Sequence, residues 1–305
     1  MGHNTAMLIL TLLIPCFFAV AMVFNGFASV ENNDLYKSST SELSDKYNLE
    51  ITPPGFTFII WGVIYTWQAL WILYAIVNLF RKRESEPYYT NPVLLPVPFL
   101  VSYLVNQALN CGWLVAFDRE QLELALAILF LIVVTLLICL FFSYRNLNRE
   151  IDVLIKQERK SDVWLTRFLV QNGLGIYATW TAIATHLNFG FVLAYRSAHD
   201  IGVKNSSTIA LGVLSGFILL FLVTDWVFLD RYTRYTFTPY LVLVWALYGV
   251  LVNNYESGAR NTIFTIVLLA ISGVAALVKL FLMFWRHCRR TEDGVKITDS
   301  TGIRV

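Results

Sequence analysis

Long apolar runs broken by short polar and charged stretches set the pattern of the chain. Eight runs, at roughly 6–27, 55–80, 93–117, 121–143, 164–194, 207–229, 237–254 and 261–285, reach or approach the length that carries a helix across a hydrocarbon core. The pattern predicts an all-α membrane protein with eight spans. The first run is longer than the core of a leader peptide. An acidic stretch rather than a small-residue cleavage site follows it, so it reads as a retained span. The fourth run is plain aliphatic, and the charged segment 144–162 behind it reads as an amphipathic or irregular cytosolic linker without chemistry.

Three runs carry more than lipid contact requires. In the fifth, Tyr177, Trp180, Ala184, Leu187 and Asn188 recur at spacings of three and four and so share one helical face. Pro54, Phe58, Trp61 and Tyr65 do the same in the second run, which opens on Pro53-Pro54, and Asn106, Asn110, Trp113 and Phe117 in the third. Amides within a bilayer are unfavourable unless they meet other helices or a wet cavity. By depth these faces lie at one level, in the half of the membrane that adjoins the loop 28–52. They either pack helices or enclose a mostly apolar pocket with a few polar groups, beneath that loop. The loop itself, acidic and with Ser38-Ser39-Thr40-Ser41 in its middle, is either functional or merely loose.

Composition agrees with a membrane protein: 57% of the 305 residues are hydrophobic, 15% aromatic and 14% charged. The net charge of +2 says little, but its distribution says more. Sixteen basic residues fall in the inner loops and the tail if the N-terminus is cytosolic, against six in the outer loops, which predicts both termini in the cytosol. The membrane itself is left unnamed. Gly2 lacks the Ser or Thr at position 6 that myristoylation needs, because Ala6 stands there. Cys16, Cys111 and Cys139 read as apolar fillers and Cys288 as a weak palmitoylation candidate. Asn205-Ser206-Ser207 is a glycosylation sequon on an outer loop.

The residues now gathered resemble the TspO/MBR family, the tryptophan-rich sensory and translocator proteins. Pro53-Pro54-Gly55 with Phe58, Trp61 and Tyr65 resembles its second-helix signature; Asn110, Trp113 and Phe117 its third; Tyr177, Trp180, Ala184, Leu187 and Asn188 its fifth. The resemblance covers about 1–195 and implies a five-helix bundle that binds porphyrins such as haem and protoporphyrin, and in some members sterols, in a pocket closed by the first loop. Carried over by motif, Trp61, Asn110, Trp113, Trp180, Ala184 and Leu187 would line it. Ile176 stands where the family usually has proline, and Tyr195 has no Lys or Arg at the spacing of the proposed sterol motif.

Residues 196–285 then add about three helices packed on the bundle, followed by a basic tail, 286–305. Gly212 with Gly216 and Ser272 with Ala276 are small-residue pairs that favour close packing. His186 either packs against the added helices or ligates a haem iron. Asp225 and Lys279 stand at similar depth and are expected to form a structural pair, with a snorkelling Lys279 or a proton relay as alternatives.

No metal cluster, Ser/His/Asp set or Gly-rich phosphate loop occurs in the sequence, which leans away from an enzyme. The expected function is binding of a planar hydrophobic ligand for sensing, sequestration or transport, with no required cofactor and porphyrin or haem as a candidate ligand. A secondary transporter and a packing or adaptor protein are the alternatives. The expected partners are the lipid bilayer and a hydrophobic small molecule, not nucleic acid, with a homo-oligomer left open.

Overall fold

The computed structural model describes residues 4–289 other than 31, 32, 34 and 84, with the last helix continuing to Thr301. Gly2, Glu31, Asp34 and the tail residues Arg290, Lys296 and Arg304 fall outside the described residues. Eight long helices dominate: α1 (Thr5–Ala28), α3 (Ile60–Phe80), α4 (Val97–Asp118), α5 (Leu122–Lys156), α7 (Asn172–Tyr195), α8 (Gly202–Val223), α10 (Thr238–Asn254) and α11 (Arg260–Thr301). Short helices α2 (Thr40–Lys46), α6 (Lys160–Leu165) and α9 (Asp230–Thr233) lie between them. A two-residue antiparallel ribbon pairs β1 (Lys82–Arg83) with β2 (Glu86–Pro87).

Among the described residues six segments are long and apolar enough to cross a membrane: α1, α4 and α5, α3 with the turn before it, α8 with the turn after it, and α11 to Arg289. Helix α10 is apolar but only 17 residues long. Leu12, Phe80, Phe130, Leu219 and Leu277 point outward from five of these helices, so the exterior is apolar where a water-soluble bundle would be charged.

Helix α7 is the centre. Every residue from Asn172 to Ala182 is buried, because α3, α5, α8 and α10 surround it. A helix so largely enclosed has little lipid face, which explains its glycines, threonines and tyrosine in place of a leucine stripe. Around it, α1 packs on α4 and α3, α4 on α5, and α11 on α10 and α8.

Buried amides tie the helices where no water can reach. Gln68 donates to the Gly173 carbonyl (2.7 Å) and accepts from the Trp71 indole (2.7 Å), joining α3 to α7. Asn106 donates to Thr135 and to the Ile132 carbonyl, joining α4 to α5. Asn172 serves as a cap for another helix: its Oδ1 accepts from the Phe237 and Thr238 amides at the start of α10. Those amides have no partner within α10, so α7 fixes where α10 begins. At the other end of α10, a Cβ on Gly249 would come within 2.3 Å of Thr57 Cγ2, so only glycine admits the turn that follows Pro53-Pro54.

Four expectations need correction. The segment 144–162 is not irregular or merely a linker: α5 runs amphipathically to Lys156, and Asn146, Leu147, Leu154 and Asp162 are buried. The described residues of the loop 28–52 are folded rather than loose, with α2 closed by a capping box between Ser39 and Glu42 and with Tyr36, Leu43, Leu49 and Ile51 buried. Gly212 and Gly216 face outward with open space at both, so they bring no helix of this chain close; Ser272 and Ala276 are buried. Asn205 lies in the first turn of α8 rather than in a loop. Its side chain accepts from Arg260, and Ser207 of the same sequon is buried.

Candidate functional site

The aromatic faces of α3, α4 and α7 meet. The rings of Trp61 and Trp180 stand edge to face at 6.4 Å, Phe58 and Trp180 at 6.1 Å, and Trp61 stacks on Tyr65 at 5.3 Å. On α4, Trp113 stacks on Phe117 at 5.4 Å, and Phe117 reaches Phe191 of α7 at 6.4 Å. Trp61, Trp113, Trp180, Ala184, Leu187 and Asn188 all border one chamber.

Asn110 does not border it. Its Oδ1 accepts from Asn25 of α1 (2.7 Å), while Asn25 Oδ1 accepts from Tyr65 (2.6 Å), so this amide ties three helices behind the chamber. Helix spacing correctly puts Asn110 on the face of Trp113. A residue one turn deeper, however, meets α1 before it meets the cavity.

One side of the chamber comes from parts of the chain to which the sequence assigned no such role. Ala210, Leu211 and Leu214 of α8 and Leu243, Ala246, Leu247 and Val250 of α10 form one wall. These apolar residues are indistinguishable by type from ordinary lipid-facing ones. His186 forms part of another wall. Its Nδ1 sits 2.6 Å from the Ala182 carbonyl and its ring lies against Phe217 of α8 at 5.3 Å. It also borders a second cavity on the outer side of α7.

The chamber is nearly closed upon itself. Its free volume is about 60 Å³, and a further cavity of about 220 Å³ lies behind Phe58, Trp61 and Trp113, which separate the two. Three residues of the chamber wall retain a buried polar atom with no partner among the described residues: Trp113 Nε1, Asn188 Oδ1 and Ser44 Oγ. Orphans of this kind are rare in a folded interior, because each loses its hydration without replacement.

The folded loop is the lid. Thr40 and Ser44 of α2 face the chamber, and the loop is fastened on several sides. Asp118 Oδ1 accepts from the Lys37 and Ser38 amides, the Ser207 hydroxyl from the Glu50 amide, and the Asn48 carbonyl from Tyr195. Leu49 sits so close to α7 that a Cβ on Gly190 would meet its Cδ1 at 2.7 Å.

A polar latch completes the lid: Lys46 and Tyr47 both donate to Glu120. These two bonds hold the Glu120 carboxyl below the usual carboxylate range, while burial first, and Glu120 second, push the Tyr47 hydroxyl up to about 12. What Glu120 contributes is present above its ordinary value of 4.5 and is lost as pH falls through the depressed one. The Tyr47 contribution is present below 10 and lost as pH rises through about 12. Glu120→Gln is expected to speed amide exchange in 36–50 by about twofold to fivefold at pH 7, the scale of an exposed ion pair. Unchanged exchange would remove Glu120 from the latch.

At the opposite, basic end Asp225 and Lys279 form an ion pair of 2.7 Å; each is almost wholly buried. Asp225 Oδ2 also accepts from Tyr240, and Lys279 donates to the Thr233 carbonyl. Among the described residues no group of His, Cys, Asp and Glu could hold a metal ion.

A family model described as TSPO-like protein matches residues 10–283. The match runs past the 1–195 read from the helix signatures and takes in α8, α10 and most of α11. No curated protein and no solved structure matches the chain. With six segments apolar and long enough to cross a bilayer and a match over nine-tenths of its length, the chain is an integral, all-α membrane protein that belongs to the TSPO-like family.

Proposed function

We propose that the protein binds a planar hydrophobic molecule with polar edges, a tetrapyrrole such as protoporphyrin or haem, between the tryptophans of α3, α4 and α7. One observation carries the reading: an aromatic chamber under a latched lid retains an unpaired donor, an unpaired acceptor and an unpaired hydroxyl in its wall. A ligand with both donor and acceptor edges would satisfy them, while its face would stack on the indoles. In this reading all eight long helices cross the membrane with both termini in the cytosol, and α8 and α10 are part of the binding wall.

The closed chamber is smaller than the roughly 300 Å³ at which small-molecule sites begin. Binding therefore couples to movement of α2 and to rotation of Trp61 or Trp113, which merges the chamber with the 220 Å³ cavity behind them. Titration of the purified protein with protoporphyrin is expected to quench tryptophan fluorescence saturably. Trp180→Ala is expected to weaken binding about tenfold, as loss of one aromatic contact of about 1.5 kcal/mol would. Absence of saturable quenching overturns the reading. Proton-gradient-dependent uptake of the same porphyrin into proteoliposomes would make the protein a transporter, the role for which Asp225, bordering a separate cavity of about 570 Å³, is the one supporting feature.

A further inference from the structure

Helices α5 and α8 both pack on α7 but barely touch each other. The crevice between them contains two cavities, of about 570 and 540 Å³, which meet at Val133 and Phe217. Helix α7 is the floor, with Gly175, Ala178 and Thr179 under the first cavity and Ala182, Thr185 and His186 under the second. Small residues there keep the crevice deep. At one end α9 closes it, where Arg231 donates to Asn148 of α5.

The two cavities divide the membrane between them. From Val133 to Arg145 is 12 residues of α5, about 18 Å, and from Glu123 to Val133 is 10 residues, about 15 Å. Half of a hydrocarbon core is about 15 Å. Each cavity therefore spans about one leaflet, with its polar residue at headgroup depth.

The charges at those two ends differ. Arg145 borders the 570 Å³ cavity and, among the described residues, makes no hydrogen bond or ion pair; Tyr232, which lines the same cavity, makes no hydrogen bond through its hydroxyl among the described residues. Asp225 borders the same cavity, but its Oδ2 is bonded by both Lys279 and Tyr240, and with Lys279 it forms a pair of no net charge. The 540 Å³ cavity ends on Glu123 and has no cation in its wall.

We propose that the α5–α8 crevice at the Arg145 end is a binding site for one anionic glycerophospholipid. One of its two acyl chains lies over Ala178 between Leu137 and Phe221, and its phosphate sits at Arg145 and Tyr232. The Glu123 end takes no anionic lipid. This site is separate from the tryptophan chamber and does not depend on what the chamber binds.

Native mass spectrometry of the full chain in mild detergent, with palmitoyl-oleoyl phosphatidylserine or phosphatidylcholine added, tests the site. One retained lipid is expected, with phosphatidylserine favoured about fivefold, the scale of one basic side chain at an anionic surface. Arg145→Gln is expected to abolish the preference, and Glu123→Gln to leave it unchanged. Leu137→Trp, at a position that is 53% exposed and so tolerant of a larger ring, is expected to displace the lipid. Equal retention of the two lipids, a preference that survives Arg145→Gln, or retention unaltered by Leu137→Trp in a protein with wild-type helicity overturns the proposal.

Discussion

Asp162→Ala is expected to lower stability by about 3–5 kcal/mol, the cost of breaking a buried ion pair by removing one partner. Asp162 has no exposed surface. Its Oδ1 accepts from Arg81 (2.7 Å) and Tyr74 (3.1 Å), and its Oδ2 from Arg159 (2.8 Å). Arg159 is itself 3% exposed, lies over the Tyr88 ring at 3.7 Å and donates to the Asn91 carbonyl. One carboxylate thus joins the end of α3, the turn that carries Tyr88 and Asn91, and the start of the helix that leads into α7. Without it, Arg159 stays buried with no counter-charge, and water must enter to solvate it. Thermal unfolding in detergent, followed by intrinsic fluorescence, should show a Tm lower by about 10 °C. Asp162→Asn, which keeps the shape and one acceptor, should fall between the two. A Tm within 2 °C or so of wild type for Asp162→Ala would mean that the two arginines find water without rearrangement.

Lys279→Met should give the second largest loss, about 2–4 kcal/mol, because it strands the Asp225 carboxylate in a buried site. Asp225 retains the Tyr240 hydroxyl as a donor, which limits the damage. The decisive comparison is the double variant Asp225→Leu with Lys279→Met. A buried pair replaced by apolar groups of similar volume is often neutral, so this variant should recover to within about 1 kcal/mol of wild type. If the double variant loses as much as the sum of the single ones, the two charges act independently and the ion pair has no stabilising role.

The sequence identified some of these features and could not identify others. Asp225 and Lys279 stand out because a charge inside an apolar run is conspicuous. Asp162 does not, because it sits in a charged stretch whose residues look alike until α3 and the turn after it fold over them. The same logic separates Trp113 from Asn110. Both lie on one helical face, yet only Trp113 borders the chamber, since the amide is intercepted by Asn25 of a helix 85 residues away in sequence. Gly212 and Gly216 mislead for the converse reason: their spacing describes a groove but not what lies opposite it.

From its sequence alone this protein is an all-α membrane protein with aromatic faces on its second, third and fifth apolar runs, because helical periodicity and bilayer thickness act on local stretches. Which helix is central, how the lid is latched, that α8 and α10 complete the chamber, and that a crevice separates α5 from α8 were decided only in three dimensions. Each depends on contacts between segments far apart in sequence, where apolar residues that look alike acquire different neighbours. In a bilayer a leucine is equally at home against lipid or against another helix, so hydrophobicity carries no preference between them and packing makes the choice.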